Sequence, residues 1–359
     1  MMALSTQQPA MSLRELLAGF DRAERDADAL IAGISLDSRE IRPGWLFLAC
    51  SGGRGHGLDF AEEARARGAV AILAEPDSRW DTSVMAELAR SLHLPIVPFP
   101  HLRRRASALA DRYFGEPSRA LEVMGVTGTN GKTSVTHYLA QALARECACA
   151  IVGTVGIGFP EDLAPATMTT PDPVSLQQTL AWLRGQGAAA VAMEVSSHAL
   201  AQGRADGVRF SHAIFTNLSR DHLDYHRDFR EYLEVKKRFF DELPEEAYAL
   251  VNLDDKNGRV MLQNCRARQH GFSLRSMADF RGKILEMHLE GSSMEINGSG
   301  LWVRLPGRFN ASNLLCTFGA GVLSGQEERD MLAAISQVGV VGIRQIRLPL
   351  PFHGDDDEM

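Results

Sequence analysis

The chain has 359 residues, a hydrophobic fraction of 45%, a charged fraction of 23% and a formal net charge of -7. That length suffices for two domains with substantial cores, and the acidic balance excludes a general attraction to nucleic acid or to an anionic membrane. Five cysteines without a C-x-x-C pair point to reduced thiols; the opening MMALSTQQPAMSLRELL lacks a charged segment followed by an apolar one, and no run reaches the roughly 20 apolar residues that a bilayer requires, so the expectation is a cytoplasmic protein.

Residues 12–20 read as a short amphipathic helix. ISLDSREIRPGWLFLAC (34–50) alternates strand and turn around Pro43-Gly44. FAEEARARG (60–68) is a helix ended by Gly68, AVAILAE (69–75) a buried strand, LHLPIVPFP (92–100) another strand and LRRRASALADRYF (102–114) a helix. Gly115-Glu116-Pro117-Ser118 is the candidate linker. Beyond it LEVMGV is a strand, TSVTHYLAQALARE (133–146) a helix, CAIVGTV (149–155) a strand and SLQQTLAWLRGQG (175–187) a helix capped by Gly187. Strands follow at 188–195, 210–218 and 247–254, with a helix over 229–243 between the last two. KILEMHLEGSSMEINGSGLWVRL (283–305) alternates at period two and predicts antiparallel strands. Helices over 311–325 and 328–339 close the pattern.

Strands that alternate with helices predict an α/β protein with a mostly parallel sheet covered on both faces. The division reads as an N-terminal α/β unit over 1–117, a central P-loop ATPase-like unit over 118–338 with a small antiparallel part, and an irregular acidic tail over 339–359. Cys147 and Cys149, one residue apart, are expected to be ordinary small residues near a helix end and not metal ligands.

VMGVTGTNGKT (123–133) lies between a buried strand and a helix, where a phosphate-binding loop belongs. Gly125, Gly128 and Gly131 let the backbone turn tightly and approach a polyphosphate. The N–H groups that open the next helix point at the anion. Lys132 is expected to reach the β- and γ-phosphates and the Thr133 hydroxyl to meet Mg²⁺. The usual spacing would put glycine at Val126, so the loop is a variant of the common pattern. A second carboxylate-bearing position, Glu194, ends the apolar strand AAAVAM at the ligand edge of a parallel sheet. There it can hold Mg²⁺, which takes few protein ligands and keeps several waters. His222 and His226, in the loop after the 210–218 strand, join it at the same edge as a metal or catalytic constellation.

TGTNGKT, MTTPDP (168–173), MEVSSHAL (193–200) and FTNLSRDHLDYH (215–226) followed by Lys236 resemble the Mur ligase family, and within it the branch that adds the third peptide residue of the peptidoglycan precursor. The resemblance runs over about 1–335. DSREIRPGWLFLAC, GHG and GAVAIL of the N-terminal unit are shared with the sister branch that adds a dipeptide; MTTPDP and EVSSHAL are the more specific segments. It implies ATP and Mg²⁺ as cofactors and UDP-MurNAc-L-Ala-D-Glu as substrate. Gly128, Thr129, Asn130, Gly131, Lys132 and Thr133 would hold the ATP phosphates, with Asn310 and Asn313 of GRFNASN near the adenine. Ser38 and His56 would lie near the uridine; Thr169, Thr170 and Ser196 near the pyrophosphate and sugar; Arg204 near the peptide. Thr133 and Glu194 would hold one Mg²⁺ and His222 another. The resemblance further implies that Lys236 carries CO₂ as a carbamate that binds the second Mg²⁺; the plain alternative is one of two solvent-facing helix lysines, Lys236 and Lys237.

The implied reaction is ATP-dependent amide formation through an acyl phosphate, with meso-diaminopimelate or L-lysine as the incoming amine. In this family the amine is bound by a C-terminal domain that follows a Gly-Arg-Met hinge. Here Gly342 is followed by Ile343, with Arg344 one place late, and the sequence ends at Met359. The expectation is therefore a shortened, impaired ligase whose diamino-acid site belongs to a missing domain. The alternative is a non-catalytic nucleotide- and UDP-sugar-binding remnant or regulatory module. A plain P-loop ATPase would leave 34–75 and MTTPDP unexplained.

Overall fold

Apolar strands bounded by glycine and proline turns build two main sheets, beside two small two-stranded ones among the described residues. The computed structural model describes residues 10–20, 29–52, 55–219 and 228–339. The first sheet has four parallel strands in chain order, Gly33–Ser35, Trp45–Ala49, Ala69–Ala74 and Ile96–Pro98. Alternate residues of each strand enter opposite faces. Leu46, Leu48, Ala71 and Leu73 pack with Leu102, Ala106 and Leu109 of the helix Leu102–Tyr113. Phe47, Ala49, Ile72 and Ala74 pack on the other face with Ala61 and Ala64 of the helix Ala61–Ala66 and with Met85 and Leu92.

Met85 and Leu92 belong to a helix, Thr82–Leu92, that the sequence pattern does not predict. Only these two of its residues are buried, so its apolar stripe is too thin to register as a period. Its start is nevertheless marked: Asp81 caps the N–H groups of Ser83 and Val84. The predicted helix over 12–20 is shorter than expected, Leu13–Leu17, with a capping box between Ser12 and Glu15.

The second sheet has eleven strands. Seven run parallel in the order Cys149–Val152, Ala190–Glu194, Glu122–Thr127, His212–Phe215, Tyr248–Asn252, Arg268–Ser273 and Phe280–His288. Antiparallel strands extend both ends: Ile157–Phe159 with Asp162–Ala164 on one side, Gly291–Ile296 with Ser299–Val303 on the other. The antiparallel part is thus where 283–305 predicts it. The short hairpin 157–164 and the strand 268–273 are additional to the predicted elements. The latter begins with the polar run Arg-Gln-His, which hides its strand character.

Met124, Val126, Ile151, Ala192, Ile214 and Leu250 face the helices Lys132–Leu143 and Arg308–Leu323. Val123, Val152, Val191, Met193, Phe215 and Val251 face Pro173–Gly185 and Phe229–Asp241. The linker region turns sharply, with Gly115 and Glu116 both at positive φ before the 3-10 turn Pro117–Ala120. The acidic tail beyond 339, with the half-matched hinge at Gly342, lies outside the described residues. No described helix is long and apolar enough to cross a membrane.

The strand Glu122–Thr127 sits between Ala190–Glu194 and His212–Phe215. The chain leaves it to one side through the helix Lys132–Leu143 and later crosses to the other. Such a reversal of strand order opens a crevice at the carboxyl ends of the strands.

Candidate nucleotide site

Three neighbouring strand ends supply the walls of that crevice. In register, Glu194 lies beside Val126 and Phe215 beside Thr127, so the phosphate loop is flanked by Val195–Ser196 and by Thr216–Asn217. The loop is held open by its neighbours. Thr216 Oγ1 donates to Asn130 O at 2.7 Å, Asn217 Oδ1 accepts from Asn130 N at 3.0 Å, and Thr129 N donates to Asn217 O at 2.9 Å. Gly128 has φ +148, and a Cβ there would overlap Thr216 Oγ1; Gly131, at φ +89, leaves room for the Asn313 amide. These two positions demand glycine for both conformation and space. Gly131 caps the helix Lys132–Leu143 without a side-chain hydrogen bond, so its opening N–H groups are offered to the crevice.

Lys132 folds over the loop, with Nζ donating to Gly128 O at 2.9 Å and Thr129 O at 3.0 Å. Thr133 Oγ1 donates to Glu194 Oε1 at 3.0 Å. The same carboxylate accepts from Thr154 N at 2.8 Å and from Thr154 Oγ1 at 3.3 Å. A Cβ on Gly153 would overlap Glu194 Oε1, so the turn after the 149–152 strand must be glycine for the carboxylate to fit. Glu194 is almost wholly buried. Burial pushes its carboxyl above the usual range, against the opposing pull of Thr154, Thr133 and the Lys132 charge. An alcohol and a buried carboxylate three ångströms apart form the all-oxygen donor set that a hard divalent cation prefers.

The residues expected on the substrate side gather on the flank of Glu194. Thr170 Oγ1 donates to Glu194 O at 2.8 Å and accepts from Ser196 N at 3.1 Å. Thr169 Oγ1 pairs with Thr154 Oγ1 at 3.0 Å. Ser196 Oγ caps the short helix Ser197–Ala201. Arg204 reaches back, Nη1 donating to Thr170 O at 2.8 Å while Nε and Nη2 hold Gln202 Oε1.

Lys236 is buried, and Lys237 pairs with Asp241 at 2.5 Å, so neither is the solvent-facing lysine of the plain alternative. Lys236 Nζ donates to Thr127 Oγ1 at 3.1 Å and to Gly128 O at 3.3 Å, above the Tyr232 ring. The helix Phe229–Asp241 thus sends a lysine to the base of the phosphate loop. His222 and His226 lie outside the described residues.

Asn313 Oδ1 faces Gly131, and Asn310 accepts from Tyr138 OH at 3.1 Å, which pins the helix Arg308–Leu323 to the loop helix. Ser38 and His56 lie in the four-stranded unit. Ser38 Oγ donates to Glu63 at 2.7 Å. Both His56 ring nitrogens are engaged, Nδ1 accepting from Leu58 N and Nε2 against Glu75 O. His56 therefore shapes the turn it belongs to. Cys149 is buried within its strand, and among the described residues no three His, Cys, Asp or Glu side chains cluster as a metal site.

This arrangement has relatives. The Mur ligase middle domain matches residues 126–321, and the domain described as Mur ligase family, catalytic domain, matches 30–114. The chain belongs to the Mur ligase family. Its relatives include the UDP-N-acetylmuramoyl-L-alanyl-D-glutamate–2,6-diaminopimelate ligase of Bacteroides fragilis, 40% identical over 337 residues, covering 93% of this chain and 68% of that protein. The ligase of the same name from Xylella fastidiosa (strain Temecula1) is 43% identical over 354 residues, covering 96% and 67%. A solved structure of a diaminopimelate ligase of that description superposes with a TM-score of 0.78 at 29% identity, over 93% of this chain and 68% of the other. MurF from Acinetobacter baumannii shares the fold, with a TM-score of 0.67 at 16% identity over 94% and 70%. This Mur ligase spans about two thirds of the length of these relatives.

Thr127, Thr154, Thr216, Asn217 and Tyr232 of this Mur ligase touch the loop or its carboxylate yet carry no role in the sequence reading. FTNLS contains Thr216 and Asn217 in plain view. Only the register of the neighbouring strand shows that they brace Asn130.

Proposed function

We propose that this Mur ligase binds ATP and UDP-MurNAc-L-Ala-D-Glu and activates the γ-carboxylate of D-Glu for amide formation with 2,6-diaminopimelate. The observation that carries the reading is the Thr133–Glu194–Thr154 oxygen cluster beside the phosphate loop, in a chain that matches diaminopimelate ligases. The carboxylate oxygen forms a bond to the γ-phosphorus as the bond to ADP breaks. The amine nitrogen then attacks the acyl carbon, phosphate leaves with the C–O electron pair, and the amine gives up a proton.

Gly128, Thr129, Asn130 and Gly131 wrap the polyphosphate with backbone N–H groups. Lys132 exchanges its loop carbonyls for phosphate oxygens and neutralises charge in transfer. Thr133 and Glu194 fit Mg²⁺; the ion, when bound, would supply charge neutralisation at the phosphates. His222 and an N-carboxylated Lys236 are assigned to a second Mg²⁺, Lys236 being buried at the base of the phosphate loop. Asn310 and Asn313 are assigned to the adenine, Ser38 and His56 to the uridine side, Thr169, Thr170 and Ser196 to the pyrophosphate and sugar, and Arg204 to the peptide. The sugar-binding unit is placed at 1–117 and the ATP-binding unit at 118–338. The diamino acid is assigned to no residue described here. A nucleotide-activated sugar as substrate and the free thiols both suit the cytoplasm, with no nucleic acid or membrane as partner.

The test is ADP formation by the purified chain with ATP, Mg²⁺ and UDP-MurNAc-L-Ala-D-Glu, with and without diaminopimelate. ADP formation that requires the UDP-sugar is expected. ATP hydrolysis indifferent to the UDP-sugar would refute the reading. Binding of both ligands without ADP would assign the chain to a binding module.

A further inference from the structure

A buried serine of the N-terminal unit reaches across to the central unit. Ser107, in the helix Leu102–Tyr113, is completely buried. Its Oγ donates to Arg204 O at 3.1 Å and accepts from Gly207 N at 2.9 Å. The two backbones meet closely there: a Cβ on Gly207 would lie 2.5 Å from Ser107 O. One hydroxyl therefore fixes both ends of the 204–207 turn. Arg204, whose carbonyl is held, uses its guanidinium to clamp Thr170 O, and Thr170 Oγ1 in turn bonds Glu194 O and Ser196 N.

The turn is gripped from a second side. Arg238, on the helix that carries Lys236, donates to Leu200 O and pairs with Asp206 at 3.7 Å. Segment 200–207 thus lies between the N-terminal helix, the lysine helix and the carboxylate strand. A shift of the N-terminal helix must move Arg204, because a buried hydroxyl cannot release its partners without leaving them unsatisfied.

We propose that Ser107 is a positioning residue that sets the Arg204 clamp on Thr170 and so couples the UDP-sugar side of the molecule to the Glu194 site. The inference rests on the substrate assignment made above. Its consequence is energetic linkage. UDP-MurNAc-L-Ala-D-Glu should tighten nucleotide binding, and nucleotide should tighten the UDP-sugar by the same factor.

The experiment is calorimetric titration of the 359-residue protein with Mg·ADP, alone and saturated with UDP-MurNAc-L-Ala-D-Glu. The wild type should bind ADP several-fold more tightly when the UDP-sugar is present. Ser107→Ala should lose that enhancement and weaken the UDP-sugar about tenfold, the worth of one buried hydrogen bond, while ADP affinity alone is unchanged. Ser118→Ala is the structural control. Ser118 is a second buried hydroxyl close by, accepting from Arg209 N at 3.0 Å, beyond the 204–207 turn. It should lower thermal stability and leave the enhancement intact. Combining Ser107→Ala with Arg204→Lys should cost no more than Arg204→Lys alone. An intact enhancement in Ser107→Ala, its equal loss in Ser118→Ala, or additive losses in the double variant would each overturn the inference. Failure of the wild type to bind the UDP-sugar would overturn the functional reading instead.

Discussion

At the edge of the large sheet opposite the nucleotide site, His212 opens its strand almost completely buried, and neither ring nitrogen makes a hydrogen bond. The ring stacks on Tyr248 at 5.1 Å. Glu122 Oε1 lies 3.6 Å from Nδ1, but burial pushes the Glu122 carboxyl up as well, so the pair is poorly placed to hold an ion pair. Burial pulls His212 down to about 4 from its ordinary 6.5. Between those values the unfolded chain binds a proton that the folded chain refuses, so stability is whole above pH 6.5 and falls as the pH drops toward 4. At about 1.4 kcal/mol per pH unit the full loss is about 3 kcal/mol. From pH 7 to pH 5 it is about 2 kcal/mol, because the unfolded histidine goes from about one quarter protonated to almost fully so. His212→Phe keeps the stacked ring and removes both unsatisfied nitrogens. Urea unfolding of both proteins at pH 7 and pH 5 isolates this group from Glu122 and every other titrating side chain. The wild type should lose about 2 kcal/mol more than the variant, and the variant should be no less stable at pH 7. Equal losses in the two proteins would show that His212 is protonated or hydrated in the fold, and the reasoning would fail.

Gly153→Ala tests the carboxylate without removing it. The new Cβ displaces Glu194 from Thr133 and Thr154, and Mg-dependent nucleotide affinity should fall about 10- to 100-fold, the range for one lost charge-assisted bond. Calorimetry with and without Mg²⁺ checks it; an unchanged Mg-dependent affinity would detach Glu194 from the cation. Lys132→Met should weaken ATP more than ADP and leave UDP-sugar binding unaltered, since its Nζ lies over the phosphate loop and not on the Thr170 flank. Parallel titrations with the three ligands would show an equal loss for all of them if the lysine merely held the fold.

Local chemistry is legible in order along the chain wherever it is contiguous. The glycines and Lys132-Thr133 announce a loop that leads from strand to helix, and Glu194 closes an apolar strand. The period-two run over 283–305 declares its antiparallel hairpins. Thr82–Leu92 is illegible because two buried residues in eleven make no stripe. The bracing of Asn130 by Thr216 and Asn217, and of Glu194 by Thr154, is illegible for another reason. These partners are separated by 40 to 87 residues and meet only through strand order and register. The sequence by itself determined where the glycine-rich loop, its Lys132-Thr133 end and the carboxylate at the end of an apolar strand fall, since each is contiguous along the chain. Only the tertiary structure decided that Lys236 is buried at the base of the phosphate loop while Lys237 pairs with Asp241, that His56 divides its two nitrogens between its own turn and the Glu75 carbonyl, and that the buried Ser107 hydroxyl meets Arg204 and Gly207. Those outcomes depend on which faces are covered, and a face is covered only once the sheets and helices have packed.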